Sequence, residues 1–432
     1  MIRLLPHQEA CLKQLEGKNR VAIYHDMGLG KTFTGSEKAI ELDAGITLVV
    51  CQKSKVQDWV EHFRTNYSYP GNLENGCAPH QVVDLTTWKK DDFKKDTFIT
   101  DGAVIGHIVY IINYDLIFRR PALLKLKNFT LMLDESSLIC NEQAKRSKAI
   151  LKMQPENVIL LSGTPTAGKY EKLWSQCRLL GWDISKKVFW NSYIISKWVD
   201  YGGFMQQVVT GYKQVEHLKK KLSEHGAVFL KTEEVMNLPE QIEQKIMLKR
   251  SPQYNTFVRD GYIDLGDGTE MFGDNTLTKM LYARQLCGQY HQGKLEAFRD
   301  LLNSTEDNLV VFYNFNGELE ALDRIAREEG RTPGAVNGHQ KDEAEGHDIL
   351  FVQYQAGAYG LNLQGFSNRI IYYSLPLGKG SCDLWEQSKK RIHRIGQNKT
   401  CFYYYLLVQN SIETLNLERL KEGQDYTNYL FE

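Results

Sequence analysis

From residue 20 to about 182, short runs of β-branched and apolar residues alternate with longer amphipathic stretches. The runs Val21-Ala22-Ile23-Tyr24, Thr47-Leu48-Val49-Val50-Cys51, Ile108 to Ile112, Thr130 to Leu133 and Val158 to Leu161 predict strands, with helices over about 31–43, 55–65, 145–153 and 169–180. Strands that are apolar at every position, separated by helices, belong to a parallel sheet covered on both faces. The same grammar returns in Leu309 to Phe312, Ile349 to Val352, Arg369 to Tyr373 and Phe402 to Val408, which predicts a second α/β domain. Between them, over about 183–290, the strand signal fades into aromatic and charged stretches such as Gln214 to Leu222, so a helical middle block is expected. The expected fold class is α/β, two parallel-sheet domains with that block between them. The divisions are 1–182, a helical or linker block 183–240, and 241–432. Neither a short internal repeat nor a low-complexity tract interrupts the pattern.

At 432 residues the chain can bury two cores. Its 53 Lys and Arg balance 53 Asp and Glu, so no overall field draws it to nucleic acid or an anionic membrane, and any DNA contact must be a local basic stripe. Eight cysteines lie scattered without a Cys-x-x-Cys pair, which reads as reduced core thiols rather than zinc ligands or disulfides. The first residues turn polar too soon for a signal peptide, and no apolar run approaches the ~20 residues of a membrane span. A soluble, cytoplasmic protein without membrane partners is expected.

After the first strand, Asp26-Met27-Gly28-Leu29-Gly30-Lys31-Thr32 opens a helix. Glycines let backbone N–H groups approach phosphates, a lysine can hold the outer phosphates of ATP, and a threonine hydroxyl can ligate Mg2+. The general pattern has glycine at position 25, where this chain carries His25. A tight turn at a helix start is the plain alternative, and the strand, loop, helix context disfavours it. Downstream, Leu131-Met132-Leu133-Asp134-Glu135-Ser136-Ser137 ends another predicted strand in two carboxylates. Alone that is an ordinary solvated strand end. Behind a phosphate loop, Asp134 is suited to hold magnesium and Glu135 to orient and deprotonate an attacking water. Near the other end stands Gln387-Ser388-Lys389-Lys390-Arg391-Ile392-His393-Arg394-Ile395-Gly396-Gln397. Arg391 and Arg394, three apart, would share one face of a helix. That face is either solvated or DNA-binding, or else the pair are arginine fingers that stabilise charge on a transferring phosphoryl group.

Taken in order, these segments resemble the superfamily-two helicase-like ATPases, and among them the Swi/Snf-type double-stranded DNA translocases. The likeness runs through Leu5-Pro6-His7-Gln8, the phosphate loop, Val49 to Ser54 followed by Asp58-Trp59, Ile112 to Asp115, the acidic pair and Leu161-Ser162-Gly163-Thr164-Pro165. It continues through Leu230-Lys231-Thr232 to Leu238-Pro239, Phe312 to Phe315, Ala356 to Leu363 and the closing Arg391 to Gln397. Gly-Leu-Asn-Leu and Arg-Ile-His-Arg-Ile-Gly-Gln, in this order behind a phosphate loop, are its most specific parts. The resemblance implies two RecA-like domains, ATP in a cleft, and DNA running across both. It assigns Gln8 to the adenine edge, Gly360 to the phosphates, Arg391 and Arg394 to the finger role, and the Ser162 segment to coupling nucleotide state with DNA. Lys53, Ser54, Asn113, Tyr114, Thr164, Asn314, Phe315 and Gly357 become candidates for DNA contact, residue types that position phosphates without reading bases.

The chain departs from the family at Ser136 and Ser137, where alanine and histidine are usual, and at Leu230-Lys231, where a paired arginine is usual. The aromatic set Phe189, Trp190, Tyr193, Trp198 and Tyr201 reads as core of the middle block. Without flanking modules the sequence resembles a bare motor of phage or bacterial type, so the compartment would be a host cytoplasm if phage-encoded. The expectation is an ATP-dependent translocase on double-stranded DNA. The alternatives are a strand-separating DNA or RNA helicase, and a nucleotide-dependent clamp or scaffold. Protein partners are left open.

Overall fold

The computed structural model describes residues 3–67, 81–89, 92–95, 107–166, 168–200, 205–235, 237–354, 361–378 and 380–431. The chain divides into two compact units, Met1–Met236 with Tyr426–Glu432, and Asn237–Asp425.

The first unit is built on a seven-stranded sheet. Its strands are β1 (Arg20–His25), β2 (Ile46–Cys51), β3 (Gln81–Asp84), β4 (Ile108–Asn113), β5 (Phe129–Asp134) and β6 (Asn157–Leu161); after a hairpin of β7 (Ile194–Asp200) and β8 (Met205–Tyr212) comes β9 (Ala227–Leu230). The sheet order is β3-β4-β2-β5-β6-β1-β9, and every pairing in it is parallel. Alternate residues of the central strands feed two separate cores. Tyr24, Leu48, Val50 and Leu133 face one, and Val21, Ile23, Val49 and Met132 face the other. That two-sided burial is why these strands read as unbroken apolar runs. Helices α1 (Pro6–Gln14), α2 (Lys31–Glu41) and α3 (Val56–Tyr67) flank the sheet elements that build the site.

The second unit repeats the plan with six parallel strands, in the order β10-β17-β16-β13-β15-β14. They are β10 (Gln241–Leu248), β13 (Leu309–Tyr313), β14 (Pro333–Val336), β15 (Ile349–Gln353), β16 (Arg369–Tyr372) and β17 (Cys401–Val408). A small antiparallel hairpin, β11 (Tyr262–Asp264) with β12 (Glu270–Phe272), stands apart from this sheet.

The middle block, expected to be helical over about 183–290, contains strands as well: besides β10 and the β11–β12 hairpin, the difference lies in its first part. It contains helices at Lys186–Tyr193 and Val215–Glu224, but between them lies the β7–β8 hairpin, and β9 then joins the first sheet beside β1. The β-branched and aromatic residues of this stretch suit a pleated, half-exposed ribbon as well as a helix face. Phe189 and Tyr193 are core, as expected, whereas Trp198 on the hairpin is 63 % exposed; Tyr201 lies outside the described residues. Seven described cysteines are free thiols, five of them buried. Among the described residues no helix is long and apolar enough to cross a membrane.

Candidate nucleotide site

β1 ends at His25, and the chain turns through Asp26, Met27, Gly28, Leu29 and Gly30 before α2 begins at Lys31. Gly28 and Gly30 have φ of 88° and 70°, in the left-handed region where a side chain is strained. A Cβ on Gly30 would fall 2.3 Å from Gln8 Nε2, so that side chain would have to move. Gln8 is buried; its Nε2 donates to the Gly30 carbonyl (3.0 Å) and its Oε1 accepts the Leu5 N–H (2.8 Å). The amide expected at an adenine edge therefore fastens the loop to α1 in this structure. Asp26 likewise points back into the fold, its Oδ2 accepting from both the N–H and the hydroxyl of Thr232 (3.2 and 3.1 Å), just after β9. Lys31 Nζ donates to the carbonyls of His25 (2.8 Å) and Asp26 (3.0 Å). A Cβ at Gly163 would lie 3.5 Å from that ammonium and 3.1 Å from Met27 Cγ, so Gly163 keeps open the space in front of Lys31.

His25, in the place of the pattern's glycine, is fully buried, and neither ring nitrogen has a hydrogen-bond partner. Burial, aided by Lys31 and His7, pulls its pKa down to about 3, so the ring is neutral at physiological pH.

Asp134 is the last residue of β5, two strands from the phosphate loop in the sheet order. Its carboxyl is pushed above the ordinary value by desolvation; the Trp59 indole N–H, donating to Oδ2 at 2.8 Å, and the nearby Lys31 oppose that push. Glu135 follows with φ 59° and ψ 61°, a left-handed conformation rare for a residue with a side chain and found where surrounding bonds enforce it. Those bonds are visible. Ser162 and Ser137 hydroxyls both donate to Glu135 Oε1 (2.6 and 3.0 Å), and the Thr164 N–H donates to Ser162 Oγ (3.1 Å). Ser137, where the family usually has histidine, thus joins Ser162 on the same carboxylate oxygen. From below, the Tyr114 hydroxyl donates to the Asp134 and Glu135 carbonyls (2.9 and 3.3 Å). An oxygen-only donor pair, the Thr32 hydroxyl and the Asp134 carboxylate, has the hard chemistry that suits magnesium. The open-fronted loop with its lysine suits a polyphosphate.

Several sequence expectations are corrected by burial and hydrogen bonding. Tyr114 and Asn113, candidates for DNA contact, are 2 % and 4 % exposed, and Tyr114 braces the acidic pair instead. Thr164 is also buried. Lys53 and Ser54 are exposed in the 3-10 turn following β2, where a phosphate backbone could reach them. In the second unit, the Asn314 amide is spent on Ser374 Oγ (2.9 Å) and the Leu375 carbonyl (3.0 Å). Phe315 is partly buried, with the Arg284 guanidinium 4.9 Å from its ring. Gly357 and Gly360 lie outside the described residues.

Arg391 and Arg394 do not share a helix face. The helix Ser381–Lys389 is capped at Lys390, and both arginines stand in the turns beyond it. The helix ends where Lys389 is buried against Trp385 and paired with Glu243. Arg391 Nη1 donates to the Leu361 carbonyl (2.9 Å) and Arg394 Nη1 to Asn362 Oδ1 (2.5 Å), so both grip the Leu361-Asn362 segment. Gln397 Nε2 adds bonds to the Gln364 and Ser367 carbonyls, both 3.1 Å. Burial lowers the pKa of Arg394.

Residues 7–291 match the SNF2-related domain, about two thirds of the chain. The chain belongs to the SNF2-related family. Among the similar curated proteins is the DNA repair and recombination protein RAD26 of Saccharomyces cerevisiae, 24% identical over 99% of this chain and 46% of its own length. The SWI/SNF-related matrix-associated actin-dependent regulator of chromatin subfamily A member 1 of Mus musculus is 24% identical over 91% of this chain and 40% of its own length. The DNA annealing helicase and endonuclease ZRANB3 of Mus musculus is 24% identical over 96% and 39% respectively. The SNF2-related chain therefore spans less than half the length of these relatives. Among solved structures, a Sulfolobus solfataricus SWI2/SNF2 ATPase core in complex with dsDNA aligns with all of this chain and 94% of its own, at 19% identity and a TM-score of 0.45.

The sequence reading overlooked two members of the site. Trp59 follows Asp58 in a motif whose spacing gives the indole no role, although an indole beside a buried carboxylate is a natural donor. Gln176 carried no signal at all.

Proposed function

We propose that this SNF2-related protein hydrolyses ATP and uses the energy to move along double-stranded DNA without fully separating the strands. The observation that carries the reading is the chain of hydrogen bonds from Thr164 through Ser162 to Glu135. A carboxylate so held can take a proton from water, and its holder is the same segment that a motor would use to report nucleotide state. Lys31 would bind the outer phosphates, and Thr32 and Asp134 would hold magnesium. Bound magnesium neutralises charge on the phosphate oxygens. The Trp59 donor and Lys31 oppose the desolvation that raises the Asp134 carboxyl, and its ionised form would supply the ligand charge. The role proposed for Arg391 and Arg394 is to stabilise charge on the transferring phosphoryl group, with the Leu361-Asn362 segment fixing their guanidinium groups.

On the DNA side, exposed Lys53 and Ser54 support contact with phosphates, and the zero net charge favours a local track over general attraction. One observation favours a second reading. Trp198, exposed on the β7–β8 hairpin, has the surface that could stack on a base and wedge a duplex open. One experiment separates the two. If the motor follows one strand of an intact duplex, ATP hydrolysis displaces a triplex-forming third strand and leaves a forked duplex annealed. Fork opening without triplex displacement would replace the translocase reading with the helicase one.

A further inference from the structure

Three neighbouring strands, β5, β6 and β1, deliver the segments of the nucleotide site from their C-terminal ends. Behind those ends lies the helix Trp174–Leu179, and from it the Gln176 side chain, with no exposed surface, touches all three. Its Oε1 accepts from the Tyr24 hydroxyl at 2.9 Å, two residues before Asp26 of the phosphate loop. The same oxygen accepts from the Ser136 hydroxyl at 2.7 Å, directly after Glu135. Its Nε2 donates to the Pro165 carbonyl at 2.7 Å, directly after the Ser162-Gly163-Thr164 turn. A carbonyl can only accept, so the atom facing Pro165 must be the nitrogen, and the orientation of the amide follows. Tyr24 and Ser136 have no exposed surface either, so water cannot replace Gln176 as their partner.

We propose that Gln176 is a positioning residue for ATP hydrolysis: one buried amide sets the spacing of the phosphate loop, the water-activating carboxylate and the Ser162 turn. This deepens the ATPase reading and rests on it. Glu135 is the member that most needs such a hold. Its left-handed backbone is not self-supporting, and Ser136, the next residue, is fixed by Gln176. Because the hydroxyls of Ser162 and Ser137 reach the same Glu135 oxygen, a shift of either turn misplaces the base relative to the phosphates without removing any group that contacts nucleotide. The defect therefore falls on turnover rather than on binding.

The test compares Gln176→Met, close in volume but without the three hydrogen bonds, with Ser136→Ala and Tyr24→Phe, which each delete a single hydroxyl and should leave the fold intact. Steady-state ATP turnover with duplex DNA and binding of a non-hydrolysable ATP analogue are measured on each full chain. Gln176→Met is expected to lower kcat by at least about tenfold, as sub-ångström misplacement of catalytic groups does, with analogue affinity changed by less than about threefold. Ser136→Ala should lower kcat in the same direction, and combining it with Gln176→Met should add little, because the two act through one bond. An active unaltered chain whose single-hydroxyl variants all keep full kcat overturns the role of Gln176 alone. So does a Gln176→Met chain that loses affinity and kcat equally. An unaltered chain that hydrolyses no ATP overturns the ATPase reading itself, and this role with it.

Discussion

Trp59→Phe should weaken the magnesium site without touching metal or nucleotide directly. Trp59 is 3 % exposed, donates its indole N–H to Asp134 Oδ2 at 2.8 Å, and stacks on Phe63 with ring centroids 5.8 Å apart. Phenylalanine keeps the stack and loses the donor. A hydrogen bond to a charged group contributes ~1.5–3 kcal/mol, so the ionised form of Asp134 loses roughly ten- to a hundredfold in relative stability. Desolvation already pushes this carboxyl upward, and the Trp59 bond opposes the push, so removing the bond raises the pKa further. Two readouts follow. The magnesium concentration for half-maximal ATP turnover should rise, and the acid limb of the pH–rate profile should move to higher pH. The smaller ring also costs core packing, on the order of 1–3 kcal/mol. Val60→Ala, in the same helix and also buried, supplies a stability-matched control that leaves Asp134 alone. If Trp59→Phe and Val60→Ala show the same magnesium dependence and the same acid limb, the tie between Trp59 and Asp134 has no functional weight and the reasoning is wrong.

Glu135→Gln should bind ATP normally and turn it over on the order of 10²–10⁴-fold more slowly, whereas Lys31→Ala should lose binding; nucleotide titration beside phosphate release distinguishes them, and near-normal turnover in the glutamine variant would remove Glu135 from its role. His25 and Glu243 should also respond to acid in different pH windows. His25 has a folded pKa of about 3 against 6.5 when free, so the unfolded chain binds a proton that the folded chain refuses, and the first unit loses stability as pH falls from 6.5, by ~1.4 kcal/mol per pH unit. In the second unit Glu243 is held at about 2 rather than 4.5, because Lys389 and Lys421 outweigh its partial burial, so its contribution is present above 4.5 and is lost only below that. His62 and His291 are also held below the ordinary histidine value by burial, so urea melts between pH 7 and 5 should show a decline that His25→Gln reduces and Glu243→Gln does not; equal slopes in all three chains would contradict the buried neutral imidazole.

What the sequence by itself determined was the interior of each sheet and the chemistry at its strand ends. The five strands β1, β2, β4, β5 and β6, and the four strands β13, β15, β16 and β17, are covered on both faces, so their interiors are almost wholly apolar, with polar residues mostly at the ends, and the runs stand out. The four edge strands, β3, β9, β10 and β14, were not legible. β10 shows the reason: Gln241–Leu248 mixes exposed charged and polar residues with a few half-buried apolar ones, and its pairing with β17 is what makes it a strand. The phosphate loop and the acidic pair could be read because their chemistry is local, a few residues at one turn. The remainder of the site depends on residues far apart in the chain: Trp59 reaches across 75 positions to Asp134, and Gln176 across 152 to Tyr24. The three-residue spacing that aligned Arg391 with Arg394 on paper was likewise settled elsewhere, because the helix ends before either arginine and the Leu361-Asn362 segment takes both side chains. A hydrogen bond between distant residues leaves no period and no motif in the sequence. Only the packing of parallel strands, which brings their C-terminal ends side by side, creates the contacts that hold Glu135 in place.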